Sequence, residues 1–152
     1  MLCLAGERRF DARGGDAPMS KVLILMGSES DRERMEKALP ILHEAGVETE
    51  VLVCSAHREP DRTAELARTA EERGFHVIIC GAGLSAALPG VVAAHTRLPV
   101  IGVPLSAALG GLDALLSTVQ MPPGVPVACV GIDNARNAAH LALRMLRLRN
   151  GG

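Results

Sequence analysis

The chain has 152 residues and a mass of 15.9 kDa, which fits one domain with a substantial core. Its 16 Lys and Arg nearly balance its 17 Asp and Glu, so no global basic field draws it to nucleic acid and no charge excess disorders it. Two aromatic residues, Phe10 and Phe75, provide no platform for stacking bases or sugars.

Residues 1–19 mix Gly, Arg, Asp and Pro without periodicity and read as a loose tail; no signal peptide is evident. Val22–Met26 is an apolar run of buried-strand type. Asp31–Ala45 reads as a helix with Met35, Ala38, Leu39 and Leu42 on one face, flawed by Pro40 and ended by Gly46. Val47–Val53 is a second strand. A helix opens at Pro60 and runs to Arg73, where Gly74 stops it. Val77–Cys80 is a third strand, Ala86–His95 a helix of small residues, and Val100–Val103 a fourth strand between Pro99 and Pro104. Gly111–Gln120 is helical, Val125–Val130 is a fifth strand, and Asn134–Leu148 closes the fold as a helix.

This alternation predicts βαβ units: an open, doubly wound parallel sheet with helices on both faces, in one domain over residues 20–149, with 150–152 a short tail. Such sheets bind ligands at the carboxyl ends of their strands. From Val77 to Val119, 43 residues carry two formal charges, Arg97 and Asp113. Glycine and proline interrupt this stretch too often for a membrane span, so it predicts a surface buried between subunits of a homo-oligomer.

The cysteines 3, 54, 80 and 129 form no C-x-x-C and no zinc spacing. They read as small buried hydrophobes of a reducing cytoplasm, with one sharper alternative: Cys54 as a strand-end nucleophile beside a histidine. The histidines at 43, 76, 95 and 140 read as structural.

The chemistry concentrates in the segments that follow the first three strands. After the first, Gly27, Ser28, Ser30 and Asp31 stand at a helix N-terminus, where N–H and hydroxyl donors suit a phosphate. Asp31 either bonds a ribose diol or caps the helix. After the second strand come Ser55, Ala56, His57 and Arg58. Arg58 offers a charged fork to a phosphate, or else pairs with Asp31 or Glu59. His57, between Ser55 and Arg58 at the ligand edge, is the general acid/base candidate. After the third strand, Gly81-Ala82-Gly83 allows close backbone approach. It also forms a G-x-G-x-x-A with Ala86, but it follows the wrong strand and lacks the distal acid of a nicotinamide-dinucleotide site. No Walker lysine and no glycosidase carboxylate pair is present.

Taken together, these loops resemble the N5-carboxyaminoimidazole ribonucleotide mutase family of purine biosynthesis. The shared motifs are Gly-Ser-x-Ser-Asp at 27–31, Ser-Ala-His-Arg-x-Pro at 55–60, Gly-Ala-Gly at 81–83, Leu-Pro-Gly at 88–90, Leu98–Pro104 and Leu115–Ala128. The resemblance runs from Val22 to Leu146. It implies a flavodoxin-like, three-layer subunit in an octamer with shared sites. The substrate would be a small-molecule ribonucleotide, with no metal, no organic cofactor, no nucleic acid and no membrane. It also implies roles. Ser28, Ser30 and Asp31 would contact phosphate and ribose, Ser55 and Arg58 the phosphate, with Ala56 alongside. His57 would shuttle the proton. Gly81, Gly83, Ser85, Ala86 and Leu88 would wall the carboxyl pocket. The family moves a carboxyl group from an exocyclic nitrogen to ring carbon four, while a related class adds carbon dioxide directly. Ala87 stands where the mutases carry histidine; Ser85 and Ala87 agree with the direct carboxylases, whereas Arg58, Pro60 and Gln120-Met121-Pro122 agree with the mutases. Direct carboxylation and a non-catalytic ribonucleotide-binding paralogue are the alternatives.

Overall fold

The structure, a computed structural model, describes residues 19–149; the expected tails fall outside this range, apart from Met19, which is exposed. Five strands pair in parallel: β1 (Lys21–Met26), β2 (Glu48–Val53), β3 (Val77–Ala82), β4 (Val100–Pro104) and β5 (Ala128–Cys129), in the order β2-β1-β3-β4-β5. The helices are α1 (Arg32–Met35), α2 (Leu39–Glu44), α3 (Pro60–Thr69), α4 (Leu88–His95), α5 (Leu112–Val119) and α6 (Ala135–Arg149).

The period-2 alternation of side chains splits the central strands between two cores. Val22, Ile24, Met26, Ile79 and Ile101 pack with Met35, Leu42, Ala138 and Ala142 of α1, α2 and α6. Leu23, Leu25, Ile78 and Cys80 pack with Ala67, Val92 and Ala114 of α3, α4 and α5. The result is the expected three-layer, doubly wound, flavodoxin-like domain. Because β1 leads to its helices on one face and β3 to its helix on the other, the chain parts between these neighbouring strands. That divergence opens a crevice at their carboxyl ends.

Four expectations need correction. The helix opening at Pro60 ends at Thr69, short of Arg73. The helix over Asp31–Ala45 is broken: Pro40 has no N–H to give, so a 3-10 turn over Glu36–Ala38 precedes α2, and Pro40 lies in the first turn of that helix. The helix drawn from Ala86 begins at Leu88, because Ser85 takes φ +50° and the Ala86 N–H closes a turn onto the Gly83 carbonyl at 3.2 Å. β5 is two residues long rather than six; Pro126, inside the expected run, has no N–H to give to the ladder.

Charge poverty from Val77 to Val119 has two causes. β3 and β4 are central strands, and all their residues are buried inside the subunit. What remains is an exposed apolar row, Leu112, Leu116 and Val119 along α5 with Leu109 in the turn before it, and Leu84 is also exposed. No helix among the described residues is long and apolar enough to cross a membrane.

Candidate active site

Sheet hydrogen bonds carry on past the strand ends and fix the loops of the carboxyl edge to one another. Gly27 N–H donates to the Gly81 carbonyl at 3.1 Å, Cys54 N–H to Met26 at 2.8 Å, Leu105 N–H to Ala82 at 2.9 Å and Asp133 N–H to Pro104 at 2.9 Å. The loops after β1, β2 and β3 therefore meet at the crevice, as the sequence predicts.

In the first loop Ser28 caps a 3-10 turn, its Oγ accepting the Ser30 N–H at 3.3 Å and lying 2.9 Å from Ser30 Oγ. Asp31 is buried and makes no capping bond for α1; its Oδ1 accepts from Arg34 Nη2 at 2.8 Å. Burial pushes the Asp31 carboxyl above the usual range, more strongly than Arg34 and the Ser28 N–H pull it down.

In the second loop Ser55–Arg58 forms a turn, with Ser55 Oγ accepting the Arg58 N–H at 3.3 Å and the Ser55 carbonyl accepting the Glu59 N–H at 2.8 Å. This turn presents His57 and Arg58 to solvent. The structural alternatives for Arg58 do not occur. Asp31 pairs with Arg34, and Glu59 pairs with Arg62 at 2.8 Å, so the Arg58 guanidinium has no carboxylate partner among the described residues. An arginine fork left open beside an imidazole and hydroxyl donors is suited to a phosphate or carboxylate.

The third loop divides into support and surface. Gly81 is buried, and Met35 Sδ lies 2.2 Å from where its Cβ would stand, so this glycine admits Met35 to the base of the crevice. The Ala86 N–H donates to the Gly83 carbonyl at 3.2 Å. Ala86 and Leu88 are buried, Gly83 is half-buried and Ser85 is exposed.

The Cys54 nucleophile reading is overturned. Cys54 is fully buried, and its Sγ lies 3.0 Å from the Thr63 hydroxyl. Cys80 is also fully buried, and burial pushes its thiol far up. Cys3 lies outside the described residues. His43 meets Thr49 at 2.8 Å, His76 accepts the Lys21 N–H at 3.1 Å and His95 meets the Val91 carbonyl at 2.8 Å, all structural roles. The described residues contain no group of three His, Cys, Asp or Glu fit to hold a metal. Two open cavities, of about 420 and 470 Å³, lie at the other edge of the sheet, by Phe75 and Leu98 and by Arg68 and Arg97. Neither touches these loops.

Sequence reasoning missed Arg34, Ser106 and Asp133. Asp133 Oδ1 accepts from the Ser106 N–H at 3.0 Å and from Arg34 Nη1 at 3.3 Å, Asp133 Oδ2 accepts the Ser106 hydroxyl, and Arg34 Nη1 also donates to the Ser106 carbonyl at 2.7 Å. Partial burial pushes the Asp133 carboxyl up, but the bonds from Ser106 and the Arg34 charge outweigh it and hold it below its ordinary value.

The family model described as AIR carboxylase matches residues 21–151, including every one of these loops. The chain belongs to the AIR carboxylase family. This family member is 61% identical over 132 residues to a Pyrococcus abyssi protein named N5-carboxyaminoimidazole ribonucleotide mutase, a match covering 86% of the chain and 76% of the relative. It is 56% identical over 124 residues to the Schizosaccharomyces pombe phosphoribosylaminoimidazole carboxylase, covering 81% of the chain and 22% of that longer protein. The crystal structure of Treponema denticola PurE superposes with a TM-score of 0.74 at 32% identity, over 85% of this chain and 81% of that one.

Proposed function

We propose that this AIR carboxylase family member is an N5-carboxyaminoimidazole ribonucleotide mutase of purine biosynthesis. It moves a carboxyl group from the exocyclic nitrogen of an aminoimidazole ribonucleotide to ring carbon four. The observation that carries the reading is the 61% identity to a protein named as that mutase, over a span of 132 residues that includes the loops after β1, β2 and β3.

The geometry supports a division of labour. Ser28, Ser30 and Ser55 bring hydroxyls, and Arg58 a guanidinium with no carboxylate partner among the described residues, to the substrate phosphate, with the Ala56 backbone between them. Asp31 receives the ribose. Gly83, Ser85, Ala86 and Leu88 wall the carboxyl pocket, and Gly81 supports it by seating Met35. His57 moves the proton. It gives one to the exocyclic nitrogen as the N–C bond breaks and carbon dioxide is released. Carbon four then attacks the carbon dioxide, and His57 takes the proton that carbon four loses, which restores the starting state. An apolar wall keeps the carbon dioxide from water between the two steps.

The chain acts as a cytoplasmic homo-octamer in this reading. The exposed row Leu109, Leu112, Leu116 and Val119, in a stretch of 43 residues with two charges, supports burial against further copies. Light scattering should report an assembly; a stable monomer at micromolar concentration contradicts it.

Direct carboxylation is the second reading, favoured by Ser85 and Ala87. The test compares freshly made N-carboxylated ribonucleotide with the bare amine in bicarbonate-rich buffer. Faster conversion of the first supports the mutase, and equal or faster use of the amine assigns the carboxylase. Binding without conversion of either points to a non-catalytic paralogue.

A further inference from the structure

We infer that Arg34 is a positioning residue for this reaction, a three-way clamp that sets Asp31 against the loops following β4 and β5. The inference rests on the reading of the carboxyl edge as the ribonucleotide site.

Arg34 lies in α1, one turn beyond Asp31. One of its terminal nitrogens holds Asp31 Oδ1 at 2.8 Å; the other reaches the Ser106 carbonyl at 2.7 Å and Asp133 Oδ1 at 3.3 Å. Ser106 and Asp133 are 72 and 99 residues from Arg34 in sequence, so one side chain joins three strand-end loops.

The far side of the clamp is well fixed. Asp133 holds a left-handed backbone at φ +56°, which a residue other than glycine keeps only where its surroundings demand it. Its N–H is bonded to the Pro104 carbonyl at 2.9 Å, and its carboxylate takes both the N–H and the hydroxyl of Ser106. Arg34 therefore pulls a short exposed turn, with Glu29 and Ser30 in solvent, onto an anchored loop. The task needs a planar fork with several donors. A lysine ammonium supplies the charge but cannot reach three acceptors in fixed directions.

The charged groups that act on the Asp31 carboxyl are Arg34 from α1, which favours ionisation, and Asp133 from the β5 loop, which opposes it along with burial. Without Arg34, burial and Asp133 push the carboxyl up against the Ser28 N–H alone. A protonated Asp31 is a poorer acceptor for a ribose hydroxyl.

The test uses the full-length protein with Arg34→Gln, Arg34→Lys and Asp133→Asn, and records melting curves, kcat, KM and the pH profile with the N-carboxylated ribonucleotide. Arg34→Gln should raise KM by about tenfold or more and move the acid limb of kcat/KM to higher pH. Arg34→Lys should restore the acid limb while KM stays high. Asp133→Asn should raise KM by a smaller factor, and it carries the test if Arg34→Gln does not fold. A folded Arg34→Gln protein with wild-type KM and acid limb overturns the inference. A carbon-13 NMR titration of Asp31 without substrate reads the clamp independently of turnover. An upward midpoint in Arg34→Gln supports the clamp, and an unchanged one overturns it. A wild-type protein that converts neither ribonucleotide overturns the functional reading and leaves that titration to decide the clamp.

Discussion

The two edges of the sheet use their charged groups in opposite ways. At the amino edge the two cations beside Phe75 are matched within the subunit. Lys21 pairs with Glu48 at 3.0 Å and Arg73 with Glu50 at 2.7 Å, and both cations lie over the Phe75 ring, at 4.6 and 5.1 Å. At the carboxyl edge Asp31 is clamped, but His57 and Arg58 stand on an exposed turn whose nearby carboxylates already have other partners. Cations closed on local partners stabilise a fold; cations left open beside oriented hydroxyls are available to a ligand. The cavities at the amino edge are lined by none of the residues of the three strand-end loops.

The contrast is tested hardest at His57. His57→Asn should lower turnover by about a hundredfold or more, the loss expected for a general acid/base, while ribonucleotide binding and the melting temperature stay near wild type. Wild-type activity in this variant would leave the carboxyl edge without its proton shuttle.

Arg58→Ala should weaken ribonucleotide binding by about 1.5–3 kcal/mol, the range for a charge-assisted hydrogen bond, without loss of stability. Its counterpart at the other edge, Arg73→Ala, should do the reverse: unchanged KM, and a stability loss of no more than about 1 kcal/mol, since the ion pair is part-exposed. Calorimetry and thermal melts on the two variants check both halves, and equal effects on binding would erase the distinction between the edges.

Gly81→Ala should destabilise the subunit by about 1–3 kcal/mol, because the new methyl collides with Met35 beneath the crevice. Chemical denaturation measures this, and an unchanged midpoint would show that Met35 moves aside freely.

The smallest effect concerns pH. The folded Asp31 carboxyl titrates above its unfolded value, so the group favours folding below the unfolded pKa and loses that contribution as pH rises through the folded pKa. Asp31→Asn should therefore raise Tm at neutral pH, by at most about 3 °C, and the gain should vanish in acid. His76 behaves oppositely at the amino edge. Burial, then Arg149, lowers its pKa, so its contribution is present above the unfolded value and is lost as pH falls through the folded one. Melting curves at several pH values separate the two, and an Asp31→Asn protein less stable at neutral pH would contradict this assignment.

Local pattern made most of the fold readable. Apolar runs, Gly and Pro punctuation and a consistent alternation are enough to specify βαβ units. The errors arose where a neighbour or a special backbone angle decided the outcome. Pro40 ended one hydrogen-bond pattern and allowed another to begin, Ser85 delayed α4, and Pro126 kept β5 from starting earlier. The three loops were legible because each follows a strand directly. The Arg34 clamp was not, because its partners are 72 and 99 residues away and no local spacing joins them. The uncharged stretch gave one signal from two causes, interior strands and an exposed apolar helix face, which only burial separates.

The most direct test follows the carboxyl carbon through one turnover. The N-carboxylated ribonucleotide, labelled with carbon-13 at that carboxyl, is mixed with excess enzyme in buffer holding unlabelled bicarbonate. Migration within a dry pocket predicts that the label appears at ring carbon four of the product. A product carrying unlabelled carboxyl from the buffer would contradict the mutase and make the bare amine the true substrate.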